Sequence, residues 1–229
     1  MTVPGSLLLA DSRLPTGGHA HSGGVEAAVE RGLVCDESDL ALYLAGRLRG
    51  TGPVVAAAAA AGCMLAAETA SVDWSRWDAA VSARTPSPAM REASRSQGAA
   101  LLRTARRVWP FAALEALYHT GRPHHPLVLG AAVTAIGDEA DAAALLALHH
   151  LIGGACAAAV RLLGLDPIAV AAVQARASES AEKVALAATR VAREAVAQWD
   201  TRLLPSASTP LPEVLAELHA RTEVTLFAS

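Results

Sequence analysis

Aromatic side chains make up only 3% of this 229-residue sequence, and its three cysteines, Cys35, Cys63 and Cys156, stand far apart with no C-x-x-C spacing. The scarcity of cysteine excludes a disulfide framework, and its spacing excludes a zinc knuckle, so a reducing, cytoplasmic setting is expected. Lysine is nearly missing: Lys183 is the only one among 19 basic residues, and it follows Glu182. A phosphate-binding loop ending in Gly-Lys-Ser/Thr is thereby excluded, and with it nucleotide hydrolysis by that device. The sequence also lacks G-x-G-x-x-G, G-x-S-x-G and H-E-x-x-H, so no catalytic residue and no cofactor is assigned. A formal charge of −3 argues against neutralising phosphates, and nucleic acid is not an expected partner. The N-terminal apolar run Ser6–Ala10 is followed at once by Asp11 and Arg13 and is no secretory signal. The most apolar stretch, Val54 to Ala67, is shorter than the roughly 20 residues a spanning helix needs, so no membrane segment is expected.

What the sequence has is small apolar side chains: 52% of residues are hydrophobic, chiefly Ala. Period-2 alternation of β-branched and aromatic residues is almost absent, and punctuation sits where helix ends need it. The expectation is one all-α domain, a bundle of roughly eight to ten helices over residues 1–204, followed by a linker, a short helix and a tail over 205–229. Ser22 and Ser38 are read as helix openings, Pro53 as the start of a buried central helix, Asp73 to Ala83 as a short helix, and the stretch after the break Thr85-Pro86-Ser87-Pro88, to about Val108, as a longer basic helix. His125-Pro126 opens a helix ending at Gly137, and Asp138 opens one ending at Gly164. A helical stretch from Asp166 to Leu204 follows, with a break near Ser178–Ser180, and then the Pro-rich linker 205–212.

Three polar groups admit a chemical reading beside a structural one. Asp138 and Asp141 could pair on a metal, though acids in a first helical turn oppose the helix dipole without one. His19 and His21 could flank an ion, or the glycines around them could shape a turn. Adjacent His149 and His150 point about 100° apart on a helix, whereas His149 and Cys156 share a face. Structural roles are favoured for all of these, with no metal ligand assigned, and a helical metal-binding protein using surface histidines is kept as the alternative. The arginines Arg91, Arg95, Arg103, Arg106 and Arg107 form either a solvated face or a surface for an acidic partner.

Two blocks carry a family resemblance. The segment Leu8 to Glu26 is similar to the pattern L-x-S-x-x-L-P-x-G-G-F-x-x-S-x-G-L-E through Ser12, Leu14, Pro15, Gly17, Gly18, Ser22, Gly24 and Glu26. The segment Arg91 to Arg103 is similar to R-E-x-S-x-x-Q-G-x-x-L-L through Arg91, Glu92, Ser94, Gln97, Gly98, Leu101 and Leu102. Together with the ending Leu226-Phe227-Ala228-Ser229, these resemble the UreF family of urease accessory proteins over essentially the whole chain. The sequence departs from the family at His19, where Phe is usual, at Thr225, where Arg is frequent, and at Leu165-Asp166-Pro167.

The resemblance implies an all-helical, non-enzymatic chaperone for nickel insertion, a homodimer that binds a UreD/UreH-type accessory protein and the GTPase UreG. It would couple GTP hydrolysis to delivery of nickel into apo-urease. On this reading Arg91, Arg95, Leu226, Phe227 and Ser229 are partner-binding residues, and Pro15, Gly17, Gly18, Ser22, Gly24, Glu26, Gln97 and Gly98 are structural motif positions. The apolar residues of 213–229 exceed what a solvated tail needs and are expected to order on the UreD-type partner.

Overall fold

Alanine lets helix axes approach closely, and the centre of this fold is built on that property. In the computed structural model, which describes residues 4–16, 22–68 and 71–220, eleven α-helices and one 3-10 turn are present and no strand occurs among the described residues. They are α1 (Pro4–Ala10), α2 (Val25–Glu30), α3 (Glu37–Arg49), α4 (Thr51–Ala66), α5 (Trp74–Ala83), α6 (Pro88–Val108), α7 (Ala112–His119), α8 (His125–Ala135), α9 (Ala140–Leu163), α10 (Pro167–Ala197) and α11 (Pro210–His219).

Helix α4 is the axis of the bundle and packs against α8, α9 and α10. Its run Ala56–Ala61 is essentially inaccessible to solvent. A helix apolar on all sides has to be enclosed by other helices, and this one is. Close approach is tightest where α8 crosses it: a Cβ on Gly130 would stand 2.1 Å from the Ala59 carbonyl oxygen and 2.5 Å from the Cys63 nitrogen. No residue larger than glycine fits there without moving the helices apart. Leucines complete the packing, with Leu40, Leu44, Leu65, Leu127, Leu129 and Leu148 at most 1% exposed.

The helix starts follow local hydrogen-bond chemistry. The Asp36 side chain accepts from Ser38 N and Asp39 N, Asp73 from Arg76 N, Ser87 from Met90 N, and Asp166 from Ile168 N and Ala169 N. The cap of α3 is therefore Asp36, two residues before the expected Ser38, and α2 starts at Val25 behind Gly24 instead of directly after Ser22. Helix α10 runs unbroken through Ser178–Ser180, because the Ser178 hydroxyl bonds back to the Gln174 carbonyl and the helix continues past it. Two helices escape sequence punctuation, α1 and α7, both of eight residues or fewer.

One described helix, α9, is long and apolar enough to cross a membrane. Here Ala143, Ala144, Leu148, Ile152, Ala155 and Ala159 are buried, and the helix packs on α4 and α10.

Beyond the Pro-rich segment the chain returns to the bundle. Helix α11 packs on α2 and α6, burying Pro212, Leu215, Ala216 and His219, while Leu211, Val214 and Leu218 face outward. The part of the expected tail from Glu213 to His219 thus lies on the domain itself. Residues 221–229 lie outside the described residues.

Candidate interaction site

Both motif blocks line one cleft of about 650 Å3, the first through Ser12, Thr16, Gly23 and Gly24 and the second through Ser94 and Gln97. A hydrogen bond also joins the blocks, from the Thr104 hydroxyl to the Pro15 carbonyl at 2.8 Å.

In the first block, Gly23 and Gly24 both have left-handed backbone, with φ of 61° and 86°. Side chains are strained in that region, and a Cβ on Gly24 would stand 2.7 Å from Tyr43 Oη. The resulting turn aims the Gly23 carbonyl at α3, where it accepts from Tyr43 Oη at 2.8 Å and from Arg47 Nη1 at 2.9 Å. Ser22 is fully buried, and Glu26 is 3% exposed with its Oε2 3.3 Å from His219 Nε2. The motif positions Ser22, Gly24 and Glu26 are thus built into the join between α2, α3 and α11. Gly17, Gly18, His19 and His21 lie outside the described residues.

The second block lies on α6, and Gly98 sits at its crossing with the start of α8. A Cβ there would be 2.1 Å from the Pro123 carbonyl oxygen and 2.9 Å from His125 N. Beside that crossing is a polar network centred on His124, which is fully buried at the N-cap of α8. Its Nδ1 is 3.0 Å from Ser94 Oγ, its Nε2 is 2.8 Å from Ser82 Oγ, and its backbone N–H donates to Asp78 Oδ1 at 2.8 Å. Arg95 closes the network, donating to Asp78 Oδ2 at 2.7 Å and to Ser82 Oγ at 2.9 Å. Burial holds the imidazole of His124 down to about 4, with Asp78 opposing and Arg95 and Arg91 adding to the shift. The neutral ring fits two hydroxyl neighbours, each of which can donate or accept.

The arginine stripe therefore has intramolecular employment. Arg95 is the ion-pair partner of Asp78, Arg91 donates to the Thr85 and Pro86 carbonyls at 2.7 and 2.8 Å, and Arg106 pairs with Glu115 while lying over the Tyr118 ring. Arg103 and Arg107 remain exposed on α6. Leu226, Phe227 and Ser229 lie outside the described residues.

None of the candidate metal ligands assembles into a site among the described residues, where no group of three or more His, Cys, Asp or Glu side chains is placed to hold an ion. Asp138 instead accepts from the Ser6 hydroxyl and from Glu139 N. His150 donates through Nε2 to the Leu9 carbonyl at 2.9 Å, and desolvation lowers it to about 4. Burial pushes the Cys156 thiol up to about 11, far from the thiolate a metal needs.

Sequence reasoning passed over three residues of this region: Arg47, Asp78 and Glu217. Glu217 of α11 accepts from the Ser87 hydroxyl and from Ala89 N at 2.8 Å, so it caps the start of α6 from a distant part of the chain. Asp78 and Arg47 sit among ordinary helical polar residues, and only tertiary packing reveals that both turn inward.

The pattern of the UreF family matches residues 34–178. The urease accessory protein UreF of Mycolicibacterium vanbaalenii is 46% identical over 226 residues, 97% of each chain. Its namesakes from Mycobacterium sp. strain JLS and Mycobacterium marinum are 43% and 41% identical, covering 99% and 97% of those proteins. The chain belongs to the UreF family.

Proposed function

We propose that this chain is the non-catalytic scaffold of a urease-maturation complex, holding a UreD/UreH-type protein and a UreG-type GTPase together while nickel, the cargo, passes into apo-urease. In that complex the chain couples GTP hydrolysis by the GTPase to delivery of the nickel. Its polar clusters support that reading, because they are consumed by the fold: Glu26 faces His219, Asp78 faces Arg95, and His124 lies between two serines. The working form of the scaffold is a cytoplasmic homodimer.

One observation carries the proposal furthest. Helix α11 is docked by one face, while its other face presents Leu211, Val214 and Leu218 at 49, 55 and 38% exposure. These residues recur at helical spacing and form a stripe that a partner would cover. The sequence then continues through Val224, Leu226 and Phe227, extending the apolar character to the chain end. The stripe and the terminal segment are proposed as one surface for the UreD-type partner, with Leu226, Phe227 and Ser229 in contact. Arg91 and Arg95 are proposed to act at its edge through the α5–α6 surface they hold together.

The test is co-purification of the full chain with its UreD-type partner. Val214→Asp together with Leu218→Asp should cost at least tenfold in affinity while leaving the circular-dichroism spectrum unchanged, since both side chains are already solvated. Full retention of binding by a folded double variant refutes this surface.

A further inference from the structure

Arg47 is 7% exposed on the last turn of α3 and lines the cleft shared by the two motif blocks. Its one acceptor among the described residues is the Gly23 carbonyl, bound by Nη1 at 2.9 Å. Nε has no partner there, and no described carboxylate forms an ion pair with the guanidinium. Burying a charge without a counter-charge is expensive, and an arginine stays charged instead of shedding its proton. The two acids on the cleft wall do not supply the missing charge. Asp11 is engaged by Arg13 through both carboxylate oxygens, and Glu213 forms no ion pair with Arg47.

With Nη1 held by Gly23, Nε is left buried without an acceptor in a side chain that lines the cleft. A guanidinium carries parallel N–H donors, the geometry that a carboxylate accepts in bidentate fashion. Hydroxyl and amide groups of Thr51, Ser94, Gln97 and Gln174 on the same cleft wall can take up further polar atoms of a ligand. We propose that this cleft is a binding site for a small organic carboxylate, with the Arg47 guanidinium as its anchor. The site belongs to the chain itself and exists independently of any partner protein.

The test uses the full chain, titrated with acetate and with succinate against chloride at constant ionic strength, followed by melting temperature and calorimetry. The wild type should show a saturable rise of several degrees with a carboxylate and none with chloride. Arg47→Met should abolish the response, yet melt no lower than the ligand-free wild type, because an unpaired buried charge has been exchanged for an apolar side chain. Arg47→Lys keeps the charge but loses the fork, and should weaken binding at least tenfold. Equal responses in wild type and either variant, or no saturable response in the wild type, overturn the proposal.

Discussion

Glu26 and His219 approach to 3.3 Å between Oε2 and Nε2, each at most 4% exposed, although they come from opposite ends of the chain. The contact fastens α11 to α2 and makes the last motif residue of the first block a structural clasp. Removing one member leaves the other buried with a lost partner, which costs on the order of 2 to 4 kcal/mol. Glu26→Ala should therefore lower the melting temperature by several degrees. The double variant with His219→Ala should be destabilised by less than the sum of the two single changes. Additive losses would show that the two side chains do not interact.

Gly98→Ala should be far more damaging than an Ala substitution elsewhere on α6. The added methyl meets the Pro123 carbonyl at 2.1 Å, and backbone on both sides cannot yield cheaply. A cost of about 2 to 4 kcal/mol is expected from separating α6 and α8, read from denaturant melts against the exposed control Ser96→Ala.

Charge reversal at Arg95 reaches beyond any docking surface. Arg95→Glu sets two carboxylates against each other where Arg95 now pairs with Asp78 at 2.7 Å, and it also withdraws the donor to Ser82. A loss of about 2 to 3 kcal/mol in stability is expected, and Asp78→Asn should relieve part of it. Reversal at the exposed Arg103 or Arg107 should leave stability within about 0.5 kcal/mol of wild type.

Acidification should destabilise the fold between about pH 6.5 and 4. His124 and His150 are held at about 4, below the ordinary histidine value of 6.5, by desolvation of their rings. In that window the unfolded chain binds protons that the folded chain refuses, so stability is intact above the unfolded value and is lost as pH falls toward the folded one. Each group contributes on the order of 2 to 3 kcal/mol across the interval. Urea melts at pH 7 and pH 5 measure it, and His124→Asn should flatten the dependence.

Much of the helical framework is legible in the sequence because its punctuation is local. Asp73, Ser87 and Asp166 cap helices through atoms two or three residues away, and Pro88 and Pro167 follow two of them at the first helical position. Helices α1 and α7 are too short to establish a hydrophobic period and are stabilised by what they pack on. The site is less legible for the same physical reason. Gly98 and Glu26 are recognisable only as members of a pattern, since the Pro123 carbonyl and His219 that give them work lie far along the chain. Arg95 illustrates the difficulty best: a basic stripe on a helix reads as a surface, and only the position of α5 turns this member toward Asp78.

The scaffold reading makes one demand that no stability measurement can meet, that the chain physically joins two other proteins. Size-exclusion chromatography with light scattering on a mixture of this chain, a UreD-type protein and a UreG-type GTPase measures that directly. The account predicts that the GTPase co-elutes with the UreD-type protein only when the full chain is present, and that Val214→Asp with Leu218→Asp abolishes the joint peak. Co-elution of the two partners without this chain, or separate elution of all three, would contradict it.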